Sequence, residues 1–466
     1  MTSLIRCISP VDGRVYVERA TASADELDDV FITARAAQKA WREVPLAERA
    51  ALVVKLVDAL KSMGEDIARE LAWMMGRPIR YGQGELRGVE ERARYMAEVA
   101  PTALAPLRPL DERPGFERWV AREPVGVVFT IAPWNYPYLT TVNSLVPALI
   151  AGNAVLLKQA AQTLLVGDRF AQAFDAIGLP KGLLTHLVLD HAQTEAIIAG
   201  GHVNHVAFTG SVEAGRAMER AAAGTFTTLG LELGGKDPAY VAPDADLPFA
   251  VENLVDGAFF NSGQCCCGIE RIYVHEARYD AFVKAYVELT AQYVLGDPLD
   301  PATTLGPMAR TGLADLVREQ TRDALAKGAK AHLDPAAFPQ DKAGGPYLAP
   351  QVLTGVDHTM SVMRDESFGP VIGIVKVRDE AEAIWLMNDS PYGLTASIWT
   401  QDAALARRMG GALETGTVFM NRCDYLDPGL AWTGVKQTGY GASLSALGYG
   451  ALTRPKSYHL RLSTAG

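Results

Sequence analysis

Cysteine is scarce: the 466-residue chain has five, Cys7, Cys265, Cys266, Cys267 and Cys423. An odd, sparse set is no disulfide framework. Adjacent cysteines bridge only with strain, so the run Cys265-Cys266-Cys267 reads as reduced thiols, and a cytoplasmic compartment is expected. No apolar run approaches the roughly 18–20 residues that span a bilayer, so no membrane partner is expected. Arg6, Asp12, Arg14, Glu18 and Arg19 interrupt the first twenty residues and leave no signal-peptide core. Positive charge is in deficit. Lys and Arg number 44 against 54 Asp and Glu, a formal net charge of −10, which argues against nucleic acid as a partner. Repeats, low-complexity tracts and long charge blocks are missing as well. What remains is a globular balance, 48% hydrophobic and 21% charged. It is spread over a chain longer than the about 250–300 residues at which single cores stop growing, so two or more domains are expected.

The N-terminal part is predicted to be helical. Ser23-Ala24-Asp25-Glu26 is a capping box, followed by Leu27, Val30, Phe31, Ala34 and Trp41 at helical spacing. Leu46 to Lys61 repeats the pattern. From Glu117 short apolar strands take over and alternate with helices: Val127 to Ile131, Val155 to Leu157, Val203 to Phe208, Ala239 to Val241. A second alternation follows Glu270, with Arg271 to His275 and Val371 to Val375. Alternation of this kind predicts two α/β units with parallel sheets, and a ligand cleft between them.

Several segments carry chemistry. In Gly263-Gln264-Cys265-Cys266-Cys267-Gly268 a thiolate would be a strong nucleophile. Cys265 and Cys267 read as small buried hydrophobes, and the residues alone leave Cys266 open. The spacing is wrong for a structural zinc site, and no metal is expected. Glu232 stands between Leu231 and Leu233 beside a Gly-Gly turn, where apolar surroundings would raise its pKa towards that of a general base. A solvated glutamate is the bland alternative. In Pro133-Trp134-Asn135-Tyr136-Pro137 two prolines fix one amide, which could donate to a developing oxyanion or satisfy its own turn. Gly210-Ser211 joins a strand to a helix start, a place for phosphate. Lys158 ends a strand on the ligand side of a parallel sheet.

Taken together, these segments resemble the NAD(P)-dependent aldehyde dehydrogenase superfamily along essentially the whole chain. The carriers are Pro133 to Pro137, Gly152 to Lys158, Phe208 to Ser211, Leu231 to Pro238, Gly263 to Cys266 and Glu366-Ser367-Phe368-Gly369-Pro370, in this order. The resemblance implies a Rossmann-type cofactor domain over 1–105 and 124–234 and an α/β catalytic domain over 235–440. It also implies a small β oligomerisation element over 106–123 and 450–466, and hence a homodimer or homotetramer. It implies Cys266 as nucleophile, Asn135 as oxyanion donor and Glu232 as the base that activates water. NAD or NADP would contact Ile131, Pro133, Trp134, Lys158, Gly210, Ser211, Leu233, Glu366 and Phe368. The aldehyde would contact Tyr136, Leu139, Cys265 and Trp432, with Thr140, Asn143 and Leu426 nearby.

Departures from the family pattern sharpen the expectations. Ala161 replaces the acid that commonly binds the adenosine ribose, with Gln162 beside it as an uncharged substitute. Gly441-Ala442-Ser443 replaces Gly-Arg-Glu. The substrate is read as a semialdehyde, with Arg422 as a candidate partner for a distal carboxylate. The alternatives are an ω-aminoaldehyde, held by Asp424 or Asp427, and a CoA-acylating reaction, against which Glu232 argues. A cysteine hydrolase would need a histidine base, and His275 is the nearest by sequence.

Overall fold

In a computed structural model, the protein is described over residues 3–463. Residues 1–2 and 464–466, which belong to the expected cofactor and oligomerisation segments, lie outside the described residues. Two sheets organise the chain. The first runs, in spatial order, Gly439–Tyr440, Thr228–Glu232, His205–Thr209, Val127–Ile131, Ala154–Lys158 and Leu184–His186. Its pairings are parallel except at the Gly439–Tyr440 edge. Val127–Ile131 is buried throughout, because helices cover both faces of a parallel sheet and leave no solvent side for polar residues. The second sheet has seven strands, with Asp237–Val241, Ile269–His275 and Val371–Val377 at its centre.

The capping box forms as the sequence predicts. The Ser23 amide donates to Glu26 Oε2 at 2.7 Å, the Glu26 amide donates to Ser23 Oγ at 3.3 Å, and the helix Ala24–Trp41 follows. Further helices span Leu46–Ser62, Gly64–Met75 and Ile79–Ala103. The helix Pro137–Ala151 starts on proline, whose missing N–H costs nothing there. It ends at Gly152, whose left-handed backbone (φ 98°) suits glycine. Phe116–Pro124 and Thr453–Arg461 form a long antiparallel ribbon, joined at nine registered pairs from Thr453↔Pro124 to Arg461↔Phe116. Trp119 stacks on Tyr458 within it at 4.3 Å. No helix among the described residues is long and apolar enough to cross a membrane.

Candidate active site

Two spaces meet around the first sheet. A groove of about 940 Å³ lies at the carboxyl ends of Val127–Ile131, Ala154–Lys158 and His205–Thr209, the ligand side of such a sheet. Six of the nine expected cofactor residues line it: Ile131, Pro133, Trp134, Lys158, Gly210 and Ser211. Ser211 N-caps the helix Val212–Ala222 by accepting the Ala214 amide at 3.3 Å, so a helix start with its partial positive charge faces the groove. Lys158 makes only a 3.4 Å bond to the Gln159 carbonyl. Burial lowers its pKa, and Asp190 partly offsets this. A cation and a helix start on one groove fit a dinucleotide pyrophosphate and ribose.

The other three expected cofactor residues are not part of the groove lining. Leu233 is buried against Gly215, where a Cβ would come within 2.7 Å of it. Glu366 accepts the Gly235 amide at 2.9 Å, and burial, then Glu270, pushes its carboxyl up to about 7. Phe368 holds a left-handed backbone (φ 48°) and sets its ring edge-on to Trp134 at 5.6 Å, so it backs the groove wall. Gln162 lines the groove. Its amide nitrogen is spent on the carbonyls of Ile8 and Met74, which leaves its amide oxygen as the group that can accept from a ribose hydroxyl.

The second space is a cavity of about 350 Å³ lined by Cys265, Cys266, Cys267, Glu232, Tyr136, Leu139 and Trp432, among others. The cysteine loop follows a left-handed turn: Asn261, Ser262 and Gly263 all have positive φ (53°, 58° and 70°). Two bonds fix that shape, Ser262 Oγ donating to the Gly306 carbonyl at 2.8 Å and the Ala309 amide donating to Gln264 Oε1 at 2.8 Å. All five cysteines are free thiols. The Cys265 and Cys267 thiols lie 3.5 Å apart and donate to Asp424 Oδ1 at 2.9 and 3.2 Å. Hydrogen bonds from Cys265 and then Cys267 lower the Cys266 pKa, outweighing its burial. The sulfurs of Cys265, Cys266 and Cys267 fall within 4.8 Å of one another, a donor cluster that the sequence spacing did not point to.

Glu232 ends its strand inside the same cavity and accepts the Ser443 hydroxyl at 2.5 Å. Burial raises its pKa, while Ser443, Arg92 and Thr209 oppose the rise. Asn135 is buried, and its Nδ2 donates to the Gln264 carbonyl at 3.2 Å. Its own carbonyl accepts from Arg77, which is ion-paired with Glu85 in the interior. Glu85 Oε1 in turn accepts the amides of Tyr138 and Leu139 at 2.7 and 3.2 Å, closing the first turn of Pro137–Ala151 from outside. The Arg77–Glu85 pair therefore fixes Asn135 at its own carbonyl and through the chain that follows it.

Thr140, Asn143, Leu426 and Asp424 also line the cavity, but Arg422 and Asp427 do not. Arg422 is exposed and lies 3.5 Å over the Tyr425 ring; Asp427 is exposed and accepts the Gly429 amide. Arg422 is thus removed as a candidate for a distal carboxylate. Two arginines line the cavity, the exposed Arg87 and the buried Arg92; sequence reading passed over Arg92 because an arginine on an amphipathic helix looks like a solvated one. No histidine lines the cavity. His275 sits at the end of Ile269–His275 and bonds the Ala277 amide.

A free thiol and a buried carboxylate on one cavity, a buried amide nearby and a groove of dinucleotide size alongside are the groups that covalent oxidation of an aldehyde would need. The aldehyde dehydrogenase family profile matches residues 2–458. The chain is 35% identical over 441 residues to succinate semialdehyde dehydrogenase [NAD(P)+] Sad of Escherichia coli, covering 95% of this chain and 94% of that protein. It is 33% identical to a succinate-semialdehyde dehydrogenase [NADP(+)] of Deinococcus radiodurans, covering 96% and 93%. The solved structure of succinic semialdehyde dehydrogenase from Streptococcus pyogenes, in complex with NADP+, superposes with a TM-score of 0.92 at 28% identity, covering 98% and 100%. The chain belongs to the aldehyde dehydrogenase family. It is an oxidoreductase that uses NAD or NADP.

Proposed function

We propose that this enzyme oxidises a short semialdehyde to the acid through a covalent intermediate on Cys266. The observation that carries the reading is that Cys266 and Glu232 open into one cavity that holds no histidine base. The lowered pKa of Cys266 supplies a thiolate, which attacks the carbonyl carbon and forms a thiohemiacetal. Asn135 has one Nδ2 hydrogen committed to Gln264; the other donates to the oxyanion. The nicotinamide, when bound, supplies the hydride acceptor. Loss of hydride leaves a thioester on Cys266. Glu232, raised by burial, takes a proton from water as the water attacks that carbonyl. The acid leaves and the thiol is restored. A base beside the acyl group favours water over CoA as acceptor.

Three proteins similar to this chain carry succinate semialdehyde dehydrogenase names, and they support the substrate class. The ω-aminoaldehyde reading loses both aspartates named for it, and Glu91, which also lines the cavity, is exposed and accepts the Tyr425 hydroxyl at 2.8 Å. Asp427 is outside the cavity, and burial, then the Cys265 thiol, pushes Asp424 well above the usual carboxylate range, towards the neutral acid. Reduction of NAD+ and NADP+ with propanal, 4-oxobutanoate and 4-aminobutanal, with and without CoA, tests the reading. It expects turnover without CoA and 4-oxobutanoate as the best substrate. An absolute CoA requirement or preference for the amine overturns it. The division of the chain into a cofactor domain, a catalytic domain and an oligomerisation element belongs to the same reading.

The same proposal covers assembly and compartment. A free two-stranded ribbon is marginal in water, and Thr453–Arg461 is largely exposed along one edge. We assign it to pairing with a second copy, giving a dimer or tetramer measurable by light scattering. Five unpaired thiols suit a reducing cytoplasm.

A further inference from the structure

The helix Ile79–Ala103 presents Gly84, Gly88 and Arg92 to the cavity at intervals of four residues, one face of one helix. Glycine inside a helix costs stability, and here two a turn apart leave gaps in a wall that the exposed Arg87 and Glu91 also line. At Gly88 a Cβ would come within 2.8 Å of Leu139 Cδ2. The next residue along that face is a buried cation. Arg92 is 8% exposed, and its Nη1 donates to Asn143 Oδ1 at 3.0 Å and to the Leu139 carbonyl at 3.3 Å. These are neutral acceptors. No carboxylate lies within ion-pair distance of Arg92 among the described residues, and its Nε and Nη2 donate to no protein acceptor among them. Burial lowers its pKa against the pull of Cys267, Glu232, Glu85 and Cys266. Every other arginine as deeply buried is fully engaged: Arg77 holds Glu85, and Arg271 spreads over the carbonyls of Lys236, Leu386 and Met387.

We propose that Arg92 is the specificity-determining residue of this enzyme, holding the distal carboxylate of an ω-oxo acid with its free Nε and Nη2 while Asn143 and the Leu139 carbonyl fix its other edge. A planar guanidinium with two adjacent donors free matches a carboxylate in bidentate fashion. A desolvated cation in a cavity of about 350 Å³ also excludes an ammonium-bearing aldehyde. The inference rests on the reading of that cavity as the aldehyde site.

The test compares kcat/KM of the full-length enzyme with NADP+ for 4-oxobutanoate, its methyl ester, butanal and 4-aminobutanal. The ester keeps both carbonyl groups, adds one methyl and removes the charge. Wild type should prefer the acid to the ester by about 10- to 100-fold, the range of one charge-assisted hydrogen-bonded pair, with the amine poorest. In Arg92→Met the acid-to-ester ratio should fall to near one, and Arg92→Lys should restore part of it. Succinate should inhibit wild type more strongly than monomethyl succinate, a readout that needs no variant. Equal use of acid and ester by wild type overturns the proposal. So does an Arg92→Met enzyme that loses activity on acid, ester and butanal in equal proportion, because Arg92 would then serve the thiolate or Glu232. If wild type oxidises butanal without preferring the acid, only Arg92 is misassigned; if it oxidises none of the four, the aldehyde-site reading falls with it.

Discussion

Removing the carboxylate of Glu85 should damage the enzyme more than its distance in sequence from any catalytic residue suggests. Its side chain is 1% exposed and that of Arg77 2%, so the pair is isolated from water. Glu85→Ala strands the Arg77 guanidinium in the interior, a loss of about 3–5 kcal/mol for a broken buried pair. It also frees the amides of Tyr138 and Leu139, which open a helix whose first N–H groups have no partners within it. Water entering the vacated space offsets part of that second loss, so we take about 3–5 kcal/mol as the net. For a folding unit of about 150–250 residues each kcal/mol moves Tm by about 2–4 °C, so the expected fall is roughly 6–20 °C by differential scanning fluorimetry. Because Arg77 also holds the Asn135 carbonyl, kcat at 20 °C should fall with little change in cofactor affinity. A Glu85→Leu/Arg77→Met double variant should be more stable than the sum of its single variants, since no charge is then left unpaired. A Glu85→Ala enzyme within 2 °C of wild type, or a strictly additive double variant, refutes the reasoning.

Cys266→Ala should abolish aldehyde oxidation and any esterase activity. Cys265→Ala and Cys267→Ala should retain most of the turnover but move the pH at which iodoacetamide inactivates Cys266 upwards, because each removes a thiol that lowers its pKa. An active Cys266→Ala enzyme would remove the nucleophile assignment. Glu232→Gln should slow turnover about 10²–10⁴-fold and yield a burst of one equivalent of reduced cofactor as the thioester accumulates; wild-type turnover would exclude Glu232 as the base.

The fold was legible because its signals are local and repeated. Five apolar residues in a row at Val127–Ile131, all buried, can serve a parallel sheet covered on both faces. The capping box at Ser23 marks its helix start to the residue. The three side chains proposed for the chemistry stood out for another reason: Asn135, Glu232 and Cys266 each lie beside glycines or prolines that mark a turn. What escaped was whatever depends on distant segments meeting. Gly439–Tyr440 is two residues long and becomes a strand only because Leu231 and Glu232 offer it an edge. Ser443, noted merely as a departure from the family pattern, turns out to bond Glu232. Arg77, Glu85 and Arg92 lie on helical segments whose charges give no sign of facing inward. Arg422 was misread for the converse reason: proximity in sequence to Asp424 does not carry it into the cavity.

Cofactor choice can be argued to a number. Ala161 is exposed, opens the short turn Ala161–Thr163, and lines the groove beside Lys158. An acid there would accept both ribose hydroxyls of NAD and repel the 2′-phosphate of NADP; alanine does neither. Gln162 has its amide nitrogen held by the carbonyls of Ile8 and Met74, so it can offer a hydroxyl only an uncharged oxygen and does not repel a phosphate. Arg6 also lines the groove but is paired with Glu18 at 3.0 Å, which leaves Lys158 and the exposed Arg310 as groove-lining cations with no carboxylate in ion-pair distance among the described residues. The enzyme should therefore accept NADP, with weak discrimination between the two cofactors. Ala161→Glu restores the missing charge. Two unit charges 4 Å apart repel by about 1 kcal/mol in bulk water and about 4 kcal/mol at an effective dielectric near 20, and the 2′-phosphate carries more than one. The ratio of kcat/KM for NAD over NADP should rise at least about tenfold, or about 1.4 kcal/mol, with most of the change in the KM for NADP. Measuring both cofactors in wild type and variant decides it. A ratio that stays put would mean that residue 161 does not face the ribose, and a wild-type enzyme blind to NADP would mean that something other than a missing acid reads the 2′ position.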